Sequence, residues 1–270
     1  MKLRQRVLSA SILVGALVAA VALGWPWLAG AAVLAAGAGL LEFRRLGAAL
    51  GAAPPWWLLA PLTAFWLLRA AYPQVAATDV GLGVALVVGL PLTLGTASAR
   101  RPLLGFALGL VGAAWLGYGL GFLLLLDRAT SSPATNAGLV FIALGIAVVS
   151  DSAAYLVGSA IGRHHFFAAI SPRKTVEGAV AGALAALVLV GLALPLVLPG
   201  LGLLPALGVG AVAVVASQAG DLVESQLKRS AGVKDAGGWI PGHGGMLDRI
   251  DSLALVGPAV YSILTLLHAF

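Results

Sequence analysis

Apolar stretches long enough to cross a membrane follow one another along almost the whole chain, and they constrain its fold more than any other feature. We predict nine spans, because crossing a bilayer takes about 20 predominantly apolar residues. They lie at 6–23, 25–43, 56–72, 79–98, 102–126, 138–160, 176–198, 203–227 and 251–269. Only 10% of the residues are charged and 60% are hydrophobic, which excludes an ordinary soluble domain. The sequence therefore predicts an all-α polytopic integral membrane protein.

The basic residues predict how these spans are oriented, since cytoplasmic loops carry an excess of Lys and Arg. If the N-terminus is cytoplasmic, nine spans place all of the 16 basic residues except Arg69 and Arg128 on the cytoplasmic side. The C-terminus then lies outside. We expect a multi-pass protein of the cell inner (cytoplasmic) membrane. Because topology accounts for the net charge of +6, no nucleic-acid partner is expected.

Two predicted cytoplasmic loops in the second half carry most of the unusual residues. They cover 162–178, between spans six and seven, and 221–252, between spans eight and nine. We therefore divide the chain into two regions. Residues 1–135 form spans one to five, a scaffold and predicted dimerisation region. Residues 136–270 form spans six to nine and the catalytic region facing the cytoplasm.

Carboxylates near the ends of spans eight and nine are candidate metal ligands. Asp221 lies within span eight, where an ionisable group usually faces a polar cavity, and Glu224 follows on the same helical face. Asp248 and Asp251 are three residues apart at the start of span nine, so we expect them to share a helix face. The chain has no Cys, which favours oxygen ligands and a hard cation such as Mg2+. Helix capping and a surface pair of Glu224 with Lys228 are the alternative interpretations.

Other polar residues indicate phosphate binding. Arg173, Lys174 and Thr175 come directly before span seven, where a helix N-terminus attracts anions. The segment PGHGG at 241–245 can bring backbone N–H groups close to phosphate oxygens, with His243 as a donor or a loop strut. The alternative for the basic residues is topological charge alone. For Arg163 and the two histidines that follow it, we prefer topological charge to a zinc site, because the sequence offers no clear third zinc ligand.

Asp151 is a further ionisable residue placed inside a span, about two turns from the end of span six. Such a residue marks a functional site by default, because a charge in the bilayer is expensive. We interpret it as a substrate-binding residue. The alternative is a buried carboxylate paired with Arg or Lys from another helix.

Residues 220–252 resemble the signature of the phosphatidate cytidylyltransferases, or CDP-diacylglycerol synthases. The lead-in GDLVES ends with the matching residue Ser225, and the other matching residues are Leu227, Lys228-Arg229, Lys234-Asp235, Pro241, His243-Gly244-Gly245 and Asp248-Arg249-Ile250-Asp251. A second block is similar at Asp151, Tyr155, Gly158, Ser171-Pro172, Lys174-Thr175 and Glu177-Gly178. It departs from the family pattern at Ser152-Ala153 and at Arg173. The resemblance covers about 150–252, and the first five spans are similar only in character.

This resemblance implies a reaction in which CTP and phosphatidic acid give CDP-diacylglycerol and pyrophosphate, with Mg2+ and optionally a second cation such as K+. It implies catalytic roles for Asp221, Lys228, Arg229, Lys234, His243, Asp248 and Arg249. It implies substrate binding by Asp151, Ser171, Lys174, Thr175, Glu177, Gly244 and Gly245. The implied metal ligands are Asp221, Glu224, Asp248 and Asp251. The family also suggests a homodimer in the lipid bilayer.

Two other functions are compatible with these residues. One is a CTP-dependent transferase that acts on another lipid phosphate or on a lipid alcohol. The other is an ion-coupled transporter that uses Asp151 and Asp221 as ion ligands. A transporter predicts helix breaks near the bilayer midplane and internal repeats, and it leaves the long 228–252 loop without a role.

Overall fold

The computed structural model describes residues 3–72, 78–96, 101–240 and 244–270, with side chains from 8–72, 80–95, 101–240 and 244–270. In this described part all regular secondary structure is helical. Outside the helices, isolated bridges pair His165 with Thr175 and Ile240 with Gly244. The all-α prediction is confirmed.

The helices follow one another with short connections. Their bounds are α1 (Leu3–Leu23), α2 (Trp27–Ala49), α3 (Trp56–Ala71), α4 (Thr78–Val84), α5 (Leu90–Leu92), α6 (Pro102–Ala113), α7 (Leu120–Leu126), α8 (Pro133–Ile161), α9 (Val176–Val197), α10 (Leu203–Ser230), α11 (Leu247–Ile250) and α12 (Leu253–Leu266). Segments Ala85–Gly89 and Ala114–Gly119 are π-helical, and Thr93–Thr96 is a 3-10 helix. Proline opens α6 and α8, as its fixed φ and missing N–H favour.

Six helical segments of the described chain are long and apolar enough to cross a membrane. They are Trp27–Ala49, Pro102–Leu126, Pro133–Ile161, Val176–Val197, Leu203–Ser230 and Leu247–Leu266. Shorter apolar helices at Leu8–Leu23, Trp56–Ala71 and Val80–Gly95 coincide with the other three predicted spans. The chain is a polytopic membrane protein, and the number nine stays a prediction.

The last predicted span is divided where the sequence suggested one continuous helix. Helix α11 ends at Ile250, and a turn at Asp251 and Ser252 precedes α12. Asp251 Oδ1 accepts a hydrogen bond from the Ser252 N–H at 2.7 Å, and such local bonds compete with helical ones. The expectation that Asp248 and Asp251 share a helix face is therefore wrong.

The chain forms two compact units. The first unit comprises Met1–Leu124 and Leu227–Ile250. Within it α2 packs against α1, α3, α6 and α11. Small residues permit these close crossings, since a Cβ on Gly112 would lie 2.6 Å from the Phe43 ring.

The second unit comprises Leu125–Gln226 and Asp251–Phe270. Helices α8 and α9 form its most extensive packing, and α12 also packs on α8. Glycines on α9 bring the helices together, because a Cβ on Gly178 or Gly182 would lie 2.6 Å from the carbonyl oxygen of Ala154 or Ser150. The predicted functional division at residue 135 stays a prediction.

Candidate active site

Three carboxylates converge in the second unit and form the acidic cluster Asp221, Glu224 and Asp251. One oxygen from each lies within 4.8 Å of the others. Asp221 and Glu224 are three residues apart on α10, so they share a face of that helix. Glu224 is fully buried and Asp251 is 8% exposed. Two of the three carboxylates are thus held away from solvent.

Gly220 brings Asp251 to this cluster. A Cβ at position 220 would lie 2.6 Å from the Asp251 carbonyl oxygen and 3.0 Å from Ser252 Cα. Only a residue without a side chain lets the backbone of the 251–252 turn approach α10 so closely. The lead-in to the predicted motif therefore places a carboxylate from a distant part of the chain beside Asp221.

A cavity of about 280 Å³ opens beside Asp221 in the same unit, near the lower end of the range for small-molecule sites. Its lining consists of Ser150, Asp151, Ala154, Tyr155, Phe166, Arg173, Lys174, Thr175, Gly178, Ala179, Gln218 and Asp221. The predicted residues Asp151, Lys174, Thr175 and Asp221 are thus brought together. Asp151 is exposed, which disagrees with the alternative of a buried ion pair.

The 162–175 loop holds Lys174 at this cavity. The loop folds back on itself, with the Val176 N–H donating to the His164 carbonyl at 2.8 Å. Lys174 Nζ lies 2.6 Å from Asp221 Oδ2, and both side chains are about one-quarter exposed. Thr175 is the N-cap of α9, where its hydroxyl accepts from the Gly178 N–H at 3.2 Å. A cation and a helix N-terminus therefore line the cavity together.

Glu177 ties the two ends of this loop. Its carboxylate accepts from the backbone N–H groups of Arg163 and His164, and Oε1 lies 2.6 Å from His164 Nδ1. The sequence interpretation treated His164 as part of a topological charge cluster and did not anticipate this partner. Ser171 lies in the turn, where its carbonyl accepts from the Lys174 N–H.

A second group of predicted residues lies in the first unit, around Asp248. Lys228 Nζ lies 2.5 Å from Asp248 Oδ1, and the two side chains are 11% and 7% exposed. Asp248 Oδ2 accepts from the N–H groups of Ala236 at 3.1 Å and Gly245 at 2.8 Å. The Gly245 N–H, predicted to face phosphate, donates to Asp248. Gly244 has φ +76°, a conformation that favours glycine.

The other predicted basic residues are exposed. Arg229 donates to the Val233 carbonyl at 3.2 Å, and Lys234 and Arg249 face solvent. His243 lies outside the described residues.

Two polar residues were missed by the sequence interpretation. Gln218 lines the cavity and donates through Nε2 to the Ala179 carbonyl at 3.0 Å, joining α10 to α9. Glu42 on α2 is fully buried and accepts from the N–H groups of Met246 and Leu247. The signal for Glu42 was present, since a lone carboxylate in an apolar helix is as unusual as Asp221.

Comparison with known proteins agrees with the resemblance. The sequence model of the Cytidylyltransferase family matches residues 4–267. The chain is 44% identical over 134 residues to the phosphatidate cytidylyltransferase of Bacillus subtilis strain 168, covering 48% of this chain and 49% of that protein. It is 37% identical over 148 residues to the phosphatidate cytidylyltransferase of Staphylococcus aureus strain COL, covering 54% and 55%. The chain spans about half the length of the curated relatives it matches.

Proposed function

We infer that this chain, which belongs to the cytidylyltransferase family, forms CDP-diacylglycerol and pyrophosphate from CTP and phosphatidic acid. The observation that carries the inference is that Asp221 belongs both to the acidic cluster and to the lining of a cavity that contains Lys174. Sites for a cation and for a phosphate thus share a residue. The Bacillus and Staphylococcus relatives are named phosphatidate cytidylyltransferase, and we extend that activity to this chain.

The acidic cluster fits Mg2+. Its three carboxylates offer hard oxygen donors within 4.8 Å of one another, and two of the side chains are buried. Lys174 offsets part of the negative charge through Asp221, and the repulsion that remains among the three carboxylates favours the binding of a further cation. We propose Asp221, Glu224 and Asp251 as ligands. When bound, Mg2+ would neutralise charge on the triphosphate. Asp248, also a predicted ligand, and a second cation such as K+ remain part of the proposal.

The proposed reaction is an in-line displacement at phosphorus. A phosphate oxygen of phosphatidic acid forms a bond to the α-phosphorus of CTP. The bond from that phosphorus to the oxygen bridging it to the β-phosphorus breaks, and pyrophosphate leaves with the electron pair. An ionised phosphate needs no general base, so the protein contributes chiefly by positioning and charge stabilisation.

Lys174 and its surroundings would hold a phosphate group of one substrate. Its ammonium group lies at the cavity, fixed by Asp221, and the N-terminus of α9 is capped beside it by Thr175. Asp151, Ser171, Glu177, Gly244 and Gly245 complete the proposed substrate-binding residues. The proposed catalytic basic residues are Lys228, Arg229, Lys234, His243 and Arg249.

We also propose the finer topology that the basic residues predict. Nine spans with a cytoplasmic N-terminus would place the 162–175 and 231–246 segments at the cytoplasmic face of the inner membrane, where CTP is available. Phosphatidic acid would enter laterally from the bilayer. A homodimer formed through the Gly- and Ala-rich early helices is part of the same proposal.

The test is CDP-diacylglycerol formation by the purified protein in detergent with CTP, phosphatidic acid and Mg2+. We expect product from the wild type and a loss of about a hundredfold or more in Asp251→Asn. Asp127→Asn is the matched control, because Asp127 is another buried carboxylate of the second unit and precedes α8 by several residues. It should retain most activity. Well-folded wild type that binds CTP and yields no product from phosphatidic acid would refute the lipid assignment.

A further inference from the structure

We propose that Glu42 is a positioning residue that holds the 244–248 segment and, through it, sets Asp248 for the reaction inferred above. This inference rests on the proposed function for its catalytic consequence. The contacts that carry it lie within the first unit. They involve a residue far from both predicted motifs in sequence.

The carboxylate of Glu42 has two backbone donors. Oε1 accepts from the Met246 N–H at 3.1 Å, and Oε2 accepts from the Leu247 N–H at 2.7 Å. Both oxygens are therefore engaged, and the side chain is fully buried. A Gln side chain would present one acceptor and one donor, so it would leave one of these N–H groups facing another donor. The arrangement selects a carboxylate.

Two glycines form the surface against which this carboxylate lies. A Cβ on Gly245 would lie 2.5 Å from both Glu42 oxygens, and a Cβ on Gly237 would overlap Oε1. The adjacent Gly238 has nothing within 4 Å of its Cβ position. Neither Gly237 nor Gly238 has a left-handed φ, so the backbone accepts alanine at either position. The two positions differ in the space available for a Cβ.

Gly245 links Glu42 to Asp248. The Glu42 carboxylate occupies the space where a Gly245 Cβ would lie, and the Gly245 N–H donates to Asp248 Oδ2 at 2.8 Å. Asp248 Oδ1 in turn lies 2.5 Å from Lys228 Nζ. A displacement of the Glu42 carboxylate therefore moves the backbone that orients Asp248. Burying a carboxylate on an apolar helix is expensive, and a precisely held loop gives that burial a role.

The adjacent glycines provide a matched test of this contact. Gly237→Ala should push the Glu42 carboxylate away from Met246 and Leu247, whereas Gly238→Ala should leave it in place. We expect hydrogen exchange at the amides of Met246 and Leu247 to be about tenfold faster in Gly237→Ala than in Gly238→Ala. Equal exchange in the two variants would overturn the contact as the cause.

The catalytic consequence is read from kcat and KM per folded molecule. We expect kcat to fall about tenfold in Gly237→Ala, with the KM values for CTP and phosphatidic acid much less affected. Gly238→Ala should match the wild type. A residue that served stability alone would lower the yield of folded protein and leave kcat of the remaining molecules unchanged, and that result would refute the positioning role.

A rescue experiment separates the contact from general damage. Glu42→Asp shortens the side chain by one methylene and relieves its overlap with an alanine at position 237. The Gly237→Ala/Glu42→Asp double variant should therefore lose less kcat than the sum of the single effects in free-energy terms. Strict additivity would refute the proposed coupling. Glu42→Gln should lower kcat even where melting shows a folded protein.

These measurements also distinguish failure of the inference from failure of the proposed function. The hydrogen-exchange comparison needs no substrate. If exchange is faster in Gly237→Ala but the wild type forms no CDP-diacylglycerol, the Glu42 contact is retained and its role in that reaction is refuted. Product formation with equal exchange and equal kcat in both glycine variants would retain the reaction and refute the Glu42 inference.

Discussion

In the first unit the carboxylates of Glu42 and Asp248 face N–H donors, whereas in the second unit those of Asp221, Glu224 and Asp251 converge on one another. Asp248 accepts from Lys228 and from two backbone N–H groups. Glu42 accepts from two more. By contrast, three carboxylate oxygens of the second unit lie within 4.8 Å of one another, with Lys174 paired to Asp221. The two units therefore surround negative charge in different ways.

This difference separates carboxylates that hold backbone N–H groups from carboxylates whose clustering favours a cation. A carboxylate with several N–H donors is an anchor, because removing its charge leaves those donors poorly satisfied. Clustered carboxylates repel one another, so removing one charge relieves repulsion and weakens the binding of a cation. Neutralising substitutions should consequently change stability in opposite directions in the two units.

The largest expected effect on stability is that of Asp248→Asn. Removing the charge of one partner breaks the buried pair with Lys228, which costs about 3–5 kcal/mol of unfolding free energy. The amide also places a donor opposite the N–H groups of Ala236 or Gly245. Denaturant melting in detergent measures the loss. Asp235→Asn, an exposed residue of the same loop, should melt like the wild type, and equal melting of the two variants would contradict the anchor interpretation.

Asp251→Asn should behave differently in the second unit. Asn keeps an oxygen that can accept from the Ser252 N–H, so the turn is retained while a charge is removed from the cluster. Without Mg2+ we expect stability equal to or above that of the wild type. Mg2+ at a hundred times its Kd should stabilise the wild type by about 2.7 kcal/mol and the variant much less. Melting with Mg2+ and with chelator checks this, and equal stabilisation of both proteins would remove Asp251 from the site.

Much of this architecture could be predicted from sequence, because long apolar runs and breaker residues report directly on membrane helices. The predicted boundaries were less accurate where polar side chains continue a helix. Span two was predicted to end at residue 43, yet α2 continues to Ala49. The unusual position of Asp221 within an apolar span was recognised, and the structure places that residue in both the acidic cluster and the cavity lining.

What sequence could not supply was the partner of each carboxylate. Spacing suggested that Asp248 and Asp251 share a helix face, but α11 ends at Ile250 and Asp251 lies in the turn that follows it. The donors to Glu42 could not be identified from the sequence because they lie about 200 residues later in the chain. Such pairings depend on close backbone approaches at Gly220 and Gly245, which tertiary packing determines.

Gly220→Ala should weaken the acidic cluster without changing any carboxylate. The new Cβ would push the 251–252 turn away from α10, so Asp251 would move relative to Asp221. We expect the Mg2+ concentration for half-maximal activity to rise about tenfold, as when residues supporting metal ligands are changed. Gly208→Ala is the control on the same helix, with nothing within 4 Å of its Cβ position. An unchanged Mg2+ requirement in Gly220→Ala would show that Asp251 is not needed there.

The smallest expected effect is that of Thr175→Ala, which tests whether the cavity also depends on a local anchor. The Thr175 hydroxyl caps α9 through the Gly178 N–H, and replacing such a cap by Ala costs about 1 kcal/mol. Thr175→Ser retains the hydroxyl and should melt close to the wild type. Because the first turn of α9 lines the cavity with Gly178 and Ala179, fraying should also raise one substrate's KM modestly. A lower melting temperature with unchanged KM would assign Thr175 to stability alone and leave Lys174 as the residue that recruits phosphate.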